Sequence, residues 1–264
     1  MNSFQDNPIG FFDSGVGGTS IWHEVHQLLP FESTIYLADS KNAPYGQKKE
    51  DVIIEYSIKN TEILLNKNCK LIVVACNTAT TNAISILREK YDVPFIGIEP
   101  AIKPAGLITK TNTIGILATK GTLNSKLFES ASGKLAEEIT IIEKIGEGLV
   151  GLIESGNIES PEITSLLHQY ISPMIEENID ALVLGCTHYP YLIPQIRKIL
   201  GNSIKIIDSG LAVAKQTKSV LETFNLLQTS TIKDTTHYFY SNANASVLSE
   251  LIRSKDAVIV EENF

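Results

Sequence analysis

Leu71-Ile72-Val73-Val74-Ala75-Cys76-Asn77-Thr78 and Ala181-Leu182-Val183-Leu184-Gly185-Cys186-Thr187-His188 decide how this chain folds. Each is an unbroken apolar run that ends in a cysteine and then in small polar residues. A run without polar alternation reads as a parallel strand buried on both faces, and the ligands of parallel sheets gather at the carboxyl ends of their strands. Both thiols are therefore expected to face a site. The thiolate is the reactive form, and hydrogen-bond donors at a strand end are expected to favour it. Two such groups on one pocket could exchange protons with a substrate from opposite sides.

A free cysteine more often serves as a small buried hydrophobe, which is the reading of Cys69, between Asn68 and Lys70 at a strand entrance. The repeated frame sets Cys76 and Cys186 apart. Zinc would call for further Cys or His at short spacing, which neither has, so no metal is expected. Three cysteines without a signal peptide indicate a reducing cytosol rather than a disulfide.

Outward from the two frames, Ile9 to Phe12, Thr34 to Ala38, Phe95 to Ile98, Ile114 to Leu117, Ile139 to Ile142 and Ile204 to Ile207 read as further strands. Helical patterns lie between them. This alternation gives an α/β class with mostly parallel sheets flanked by helices. A second echo relates Ile9-Gly10-Phe11-Phe12-Asp13-Ser14-Gly15 to Ile114-Gly115-Ile116-Leu117-Ala118-Thr119, each preceding its cysteine by a similar distance. The chain thus reads as duplicated, with two pseudo-symmetric domains and the thiols facing each other across their interface. Pro94, Pro100 and Pro104 bracket the crossing between them. The expected division is residues 1–98 plus 209–264 for the first domain and 99–208 for the second. The C-terminal part is expected as a helix from Asp208 to about Leu227, a strand over Thr235 to Tyr240 and a final helix.

With 264 residues, 43% of them hydrophobic, the chain can bury a sizeable core. A net charge of -8 with scattered Lys and Arg argues against a nucleic-acid surface, and no apolar stretch reaches the length of a membrane span. A cytoplasmic protein is expected, with no nucleic-acid or membrane partner. A homodimer is left open.

Two loops add to the thiols. Asp13-Ser14-Gly15-Val16-Gly17-Gly18 lacks the order of a dinucleotide or P-loop, but its glycines admit a ligand close to the backbone and Asp13 offers a carboxylate to an amine. Helix capping is the structural alternative for Asp13 and Ser14. Asn42-Ala43-Pro44-Tyr45-Gly46 combines a rigid turn, a phenol and an open backbone.

These loops, with Ala75-Cys76-Asn77-Thr78-Ala79-Thr80, Glu154-Ser155-Gly156 and Leu184-Gly185-Cys186-Thr187-His188-Tyr189-Pro190, resemble the glutamate racemases of the aspartate/glutamate racemase family. That family makes D-glutamate for peptidoglycan without a cofactor. The resemblance implies Cys76 and Cys186 as the two catalytic acid/bases, working on D- and L-glutamate respectively. It further implies a pocket lined by Asp13, Ser14, Tyr45, Gly46, Asn77, Thr78, Thr187 and His188, with His188 aiding Cys186. Glu154 is weaker, since a solvated carboxylate at a helix end fits the same position. Ile145-Gly146-Glu147-Gly148 departs from the family's usual Ala-Cys-Pro sequence.

The chemistry agrees with the residue types. Racemisation removes the Cα proton from one face and returns one to the other, so one base on each face suffices. Hydroxyl and amide donors at Ser14, Asn77, Thr78, Thr119, Thr122 and Thr187 can hold two carboxylates, and no lysine sits in a pyridoxal-phosphate setting. No cofactor is expected. A relative acting on aspartate, an amino-acid sensor and a protein inhibitor are the competing readings.

Overall fold

The fold is described from a computed structural model over residues 4–229, 235–243, 245–252 and 254–264. In chain order its elements are β1 (Ile9–Asp13), α1 (Thr19–Leu28), β2 (Thr34–Ala38), α2 (Glu50–Asn66), β3 (Leu71–Val74), α3 (Asn77–Lys90) and β4 (Phe95–Gly97). There follow α4 (Ile102–Ile108), β5 (Thr113–Ala118), α5 (Lys120–Leu123), α6 (Lys126–Leu135), β6 (Thr140–Ile145), α7 (Leu149–Glu154), α8 (Pro161–Glu176), β7 (Ala181–Gly185), α9 (Ile193–Leu200) and β8 (Lys205–Ile207). The chain closes with α10 (Gly210–Thr223), β9 (His237–Ser241), α11 (Ala245–Ile252) and β10 (Ala257–Glu261).

Two sheets form, one of six strands in the order β10-β9-β2-β1-β3-β4 and one of four in the order β6-β5-β7-β8. Every pairing is parallel. The order β2-β1-β3-β4 repeats as β6-β5-β7-β8, so β1 corresponds to β5 and β3 to β7, as the internal echoes require. The continuous apolar runs are explained by burial on both faces: all residues of β1, β2, β3 and β7 are buried. Removing such side chains from water contributes roughly 1.5–3 kcal/mol for each large one, which is why alternation is absent.

The C-terminal segment differs from expectation in two places. Helix α10 stops at Thr223, because Asn225 turns into the left-handed region (φ 54), a conformation asparagine tolerates at a helix end. A strand missing from the sequence reading, β10, pairs with β9 at the edge of the six-stranded sheet. Ser209 ties the start of α10 to β4's end, its hydroxyl donating to the Glu99 carbonyl at 2.6 Å, and α10 packs on α1. Among the described residues no helix is long and apolar enough to cross a membrane.

Candidate active site

Strand β3 ends beneath Cys76, which serves as the N-cap of α3: its sulfur accepts the Ala79 N–H at 3.4 Å. Strand β7 likewise ends beneath Cys186, which leads into the short helix Tyr189–Leu192. Both thiols are nearly inaccessible, 4% and 6% exposed. They line one cavity of about 10 Å³ with Ser14, Tyr45, Gly46, Asn77, Thr78, Thr187 and His188, joined by Pro44, Thr119 and Val150. A second cavity of about 420 Å³ adjoins it, sharing Pro44, Gly46, Thr119 and Val150 and bounded outside by Ile145, Gly146, Glu147 and Gly148. The glycine-rich departure thus forms the wall of an antechamber, with the Tyr189 hydroxyl donating to the Gly146 carbonyl at 3.1 Å.

Asp13 lies behind the cavity rather than in its lining. It is fully buried, and its carboxylate accepts the N–H groups of Ser14 (2.7 Å) and Gly18 (2.5 Å) and the Thr187 hydroxyl (3.3 Å). It therefore shapes its own loop without capping α1, whose N-cap Gly18 has no side-chain cap hydrogen bond, and it also reaches the site through Thr187. Burial raises its pKa, against the lowering effects of His188 and of a hydrogen bond with Cys76. The Cys76 thiol is pushed well above the usual thiol range, first by burial and then by the Asp13 charge. This reverses the expectation that strand-end donors would favour the thiolate at Cys76: desolvation outweighs the Ala79 and Ser14 donors, so Cys76 rests as a thiol.

His188 is placed differently. Its side chain caps no helix; Nδ1 lies 3.7 Å from the Cys186 sulfur and Nε2 lies 2.5 Å from Glu154 Oε1. Burial pulls its pKa down, but the hydrogen bonds to Cys186 and Glu154 overcome this and hold it well above the ordinary imidazole value. An imidazolium in that position is a partner for negative charge on the Cys186 sulfur. Glycine is required for this approach, because a Cβ on Gly17 would lie 2.2 Å from His188 Nδ1, and one on Gly15 would lie 1.9 Å from Glu154 Oε1.

Glu154 is the residue the sequence ranked too low. Besides His188 it accepts the Val16 N–H (2.7 Å) and the Ser40 hydroxyl (2.9 Å), so it is no solvated helix end. Its partners lie 34 to 138 positions away in the chain, and no local pattern could announce them. Tyr45 lines the cavity, as the resemblance implies, and its hydroxyl donates to Asp39 at 2.5 Å. Asn77 is the opposite case, since both side-chain polar atoms are buried with no protein partner. Leaving a buried amide unpaired costs about 1–3 kcal/mol, which a polar ligand would offset. Thr78, Thr119 and Thr122 form a hydroxyl cluster at 2.8 to 3.3 Å spacing. Cys69 sits in the core with its thiol pushed up to about 12 by burial, the inert role expected of it. Among the described residues no cluster of three or more His, Cys, Asp or Glu could hold a metal ion.

Paired thiols, each beside an ionisable neighbour, thus stand at equivalent strand ends of a duplicated parallel α/β fold, an arrangement suited to acid–base chemistry. The chain belongs to the Asp/Glu/hydantoin racemase family, whose profile matches residues 20–217. It is 47% identical over 216 residues to the glutamate racemase of Cupriavidus pinatubonensis, covering 82% of this chain and 79% of that one. Its fold is similar to that of a glutamate racemase from Bacillus anthracis (TM-score 0.87, 30% identity, 98% of each chain). It is also similar to the Francisella tularensis glutamate racemase solved in complex with D-glutamate (TM-score 0.83, 32% identity, 97% of this chain and 98% of that one).

Proposed function

We propose that this protein is a glutamate racemase that interconverts L- and D-glutamate through two cysteines, supplying D-glutamate for peptidoglycan in the cytoplasm. The observation that carries the reading is that Cys76 and Cys186 line one cavity with unlike partners, Asp13 for the first and the His188–Glu154 pair for the second. In the L-to-D direction the Cys186 sulfur, held beside the imidazolium, takes the Cα proton, and the Cys76 thiol gives its proton to the opposite face. Cys186 ends as a thiol and Cys76 as a thiolate. The D-to-L direction then runs from that state, with Asp13 positioned to relay the Cys76 proton.

The developing carbanion needs stabilisation for a thiolate to take the Cα proton. Ser14, Asn77, Thr78 and Thr187 supply neutral donors for the α-carboxylate, and the backbone at Tyr45 and Gly46 completes the pocket. The corresponding domain assignment is residues 1–98 plus 209–264 around the six-stranded sheet and 99–208 around the four-stranded one. No cofactor, metal or nucleic acid enters the scheme.

A panel of L- and D-amino acids followed by circular dichroism tests it. Glutamate should lose its signal in both directions without added cofactor. Faster turnover of aspartate, or a requirement for pyridoxal phosphate, would overturn the assignment.

A further inference from the structure

Thr19 and Tyr191 share a hydrogen bond that takes no part in the proton transfers. Their oxygens are 2.5 Å apart. Because the Thr19 hydroxyl already donates to the Val16 carbonyl at 2.6 Å, the shared proton belongs to Tyr191. Thr19 opens α1, directly after the loop from Asp13 to Gly18, whereas Tyr191 lies in the helix Tyr189–Leu192, directly after Cys186 and His188. The bond therefore ties the Asp13 loop of the six-stranded half to the His188 segment of the four-stranded half. Ser20, next to Thr19, adds a donation to the Thr187 carbonyl at 2.9 Å.

The halves must part for a substrate to reach the sulfurs. At about 10 Å³ the thiol cavity has room for at most one water, whereas glutamate has ten heavy atoms. The antechamber of about 420 Å³ can hold it, but the sulfurs do not line that space. We propose that the Tyr191–Thr19 bond is a latch that sets how often the two halves separate, which makes Tyr191 a positioning residue for closure of the site. The proposal rests on the cavity being where the reaction occurs. Glu154 also bridges the halves, through Val16 and Ser40, but it holds His188, so its loss would mix closure with proton transfer. Tyr191 makes the cleaner probe, since phenylalanine keeps the ring packed against the core and removes only the hydroxyl.

The test is the rate at which iodoacetamide alkylates each cysteine of the free protein, resolved by mass spectrometry, in wild type and Tyr191→Phe. Cys69, buried in the core of the six-stranded half, reports unfolding, whereas Cys76 and Cys186 report opening. Loss of one such bond should speed labelling of Cys76 and Cys186 about three- to ten-fold while Cys69 labels at its original rate. Unchanged labelling of Cys76 and Cys186 would overturn the latch, and so would a parallel rise at Cys69, which would mean general destabilisation. No substrate is needed, so the outcome is independent of whether glutamate is the amino acid turned over.

Discussion

Gly17→Ala is a small substitution with a large expected effect on the reaction. The new Cβ would stand 2.2 Å from His188 Nδ1 and 2.5 Å from its Cγ and Cε1, where ordinary contact begins near 3.4 Å. To restore ordinary contact the ring must retreat from Gly17 by about 1.2 Å. It is 1% exposed and held at 2.5 Å by Glu154, so the shift also strains that bond and carries Nδ1 off the Cys186 sulfur. A misplacement of about 1 Å in a proton-transfer site costs on the order of 100-fold in rate. Because the two enantiomers have equal free energy, kcat/KM should fall by that factor in both directions. The defect lies at the Cys186 face alone, so the Cα-deuterium isotope effect on kcat should rise for L-glutamate and not for D-glutamate. Circular dichroism on protiated and Cα-deuterated substrates measures both. Wild-type kcat/KM in a folded Gly17→Ala protein would refute the role given to His188.

Alanine at Cys76 or at Cys186 should abolish racemisation to below about a ten-thousandth of wild type, whereas Cys69→Ala should remain active; the same dichroism assay separates them. Acid should destabilise the fold through His237, which burial and the neighbouring His26 lower from 6.5 to about 4. His26 is itself lowered by burial and His23. A base with a depressed folded pKa contributes its full share above the unfolded value, so stability should be intact above pH 6.5 and fall by about 3 kcal/mol as pH drops from 6.5 to 4, measured by urea unfolding. His237→Phe should flatten that slope, and an unchanged slope would remove His237 as its source.

The fold was legible where the sequence carries unmixed signals. Strands buried on both faces leave continuous apolar runs, so β1, β2, β3 and β7 stand out, and the repeated cysteine frames revealed the equivalence of β3 and β7 that the strand order confirms. The edge strand β10 is not legible because it is only half covered: Val258 and Glu261 are exposed and the other three residues partly so, which leaves a weaker pattern. At the site, residues beside the thiols in sequence were readable, since Asn77, Thr78, Thr187 and His188 ride on the turns that end the two strands. Glu154 and Tyr191 were not, because their meaning comes from partners more than thirty positions away. The protonation of Cys76 is not legible for another reason: donors can be counted from a sequence, but the desolvation that opposes them depends on packing.

The central claim is that two different sulfurs serve the two faces of one carbon, and deuterium tracing in D2O tests it most directly. L-glutamate is converted a short way, the enantiomers are separated, and deuterium at Cα is measured in each. With Cys186 removing the proton and Cys76 delivering one equilibrated with solvent, the D-glutamate formed should carry deuterium while the recovered L-glutamate stays almost wholly protiated. Retention of the original hydrogen in a substantial share of the D-glutamate would mean that one group carries the proton between faces, and would contradict the account.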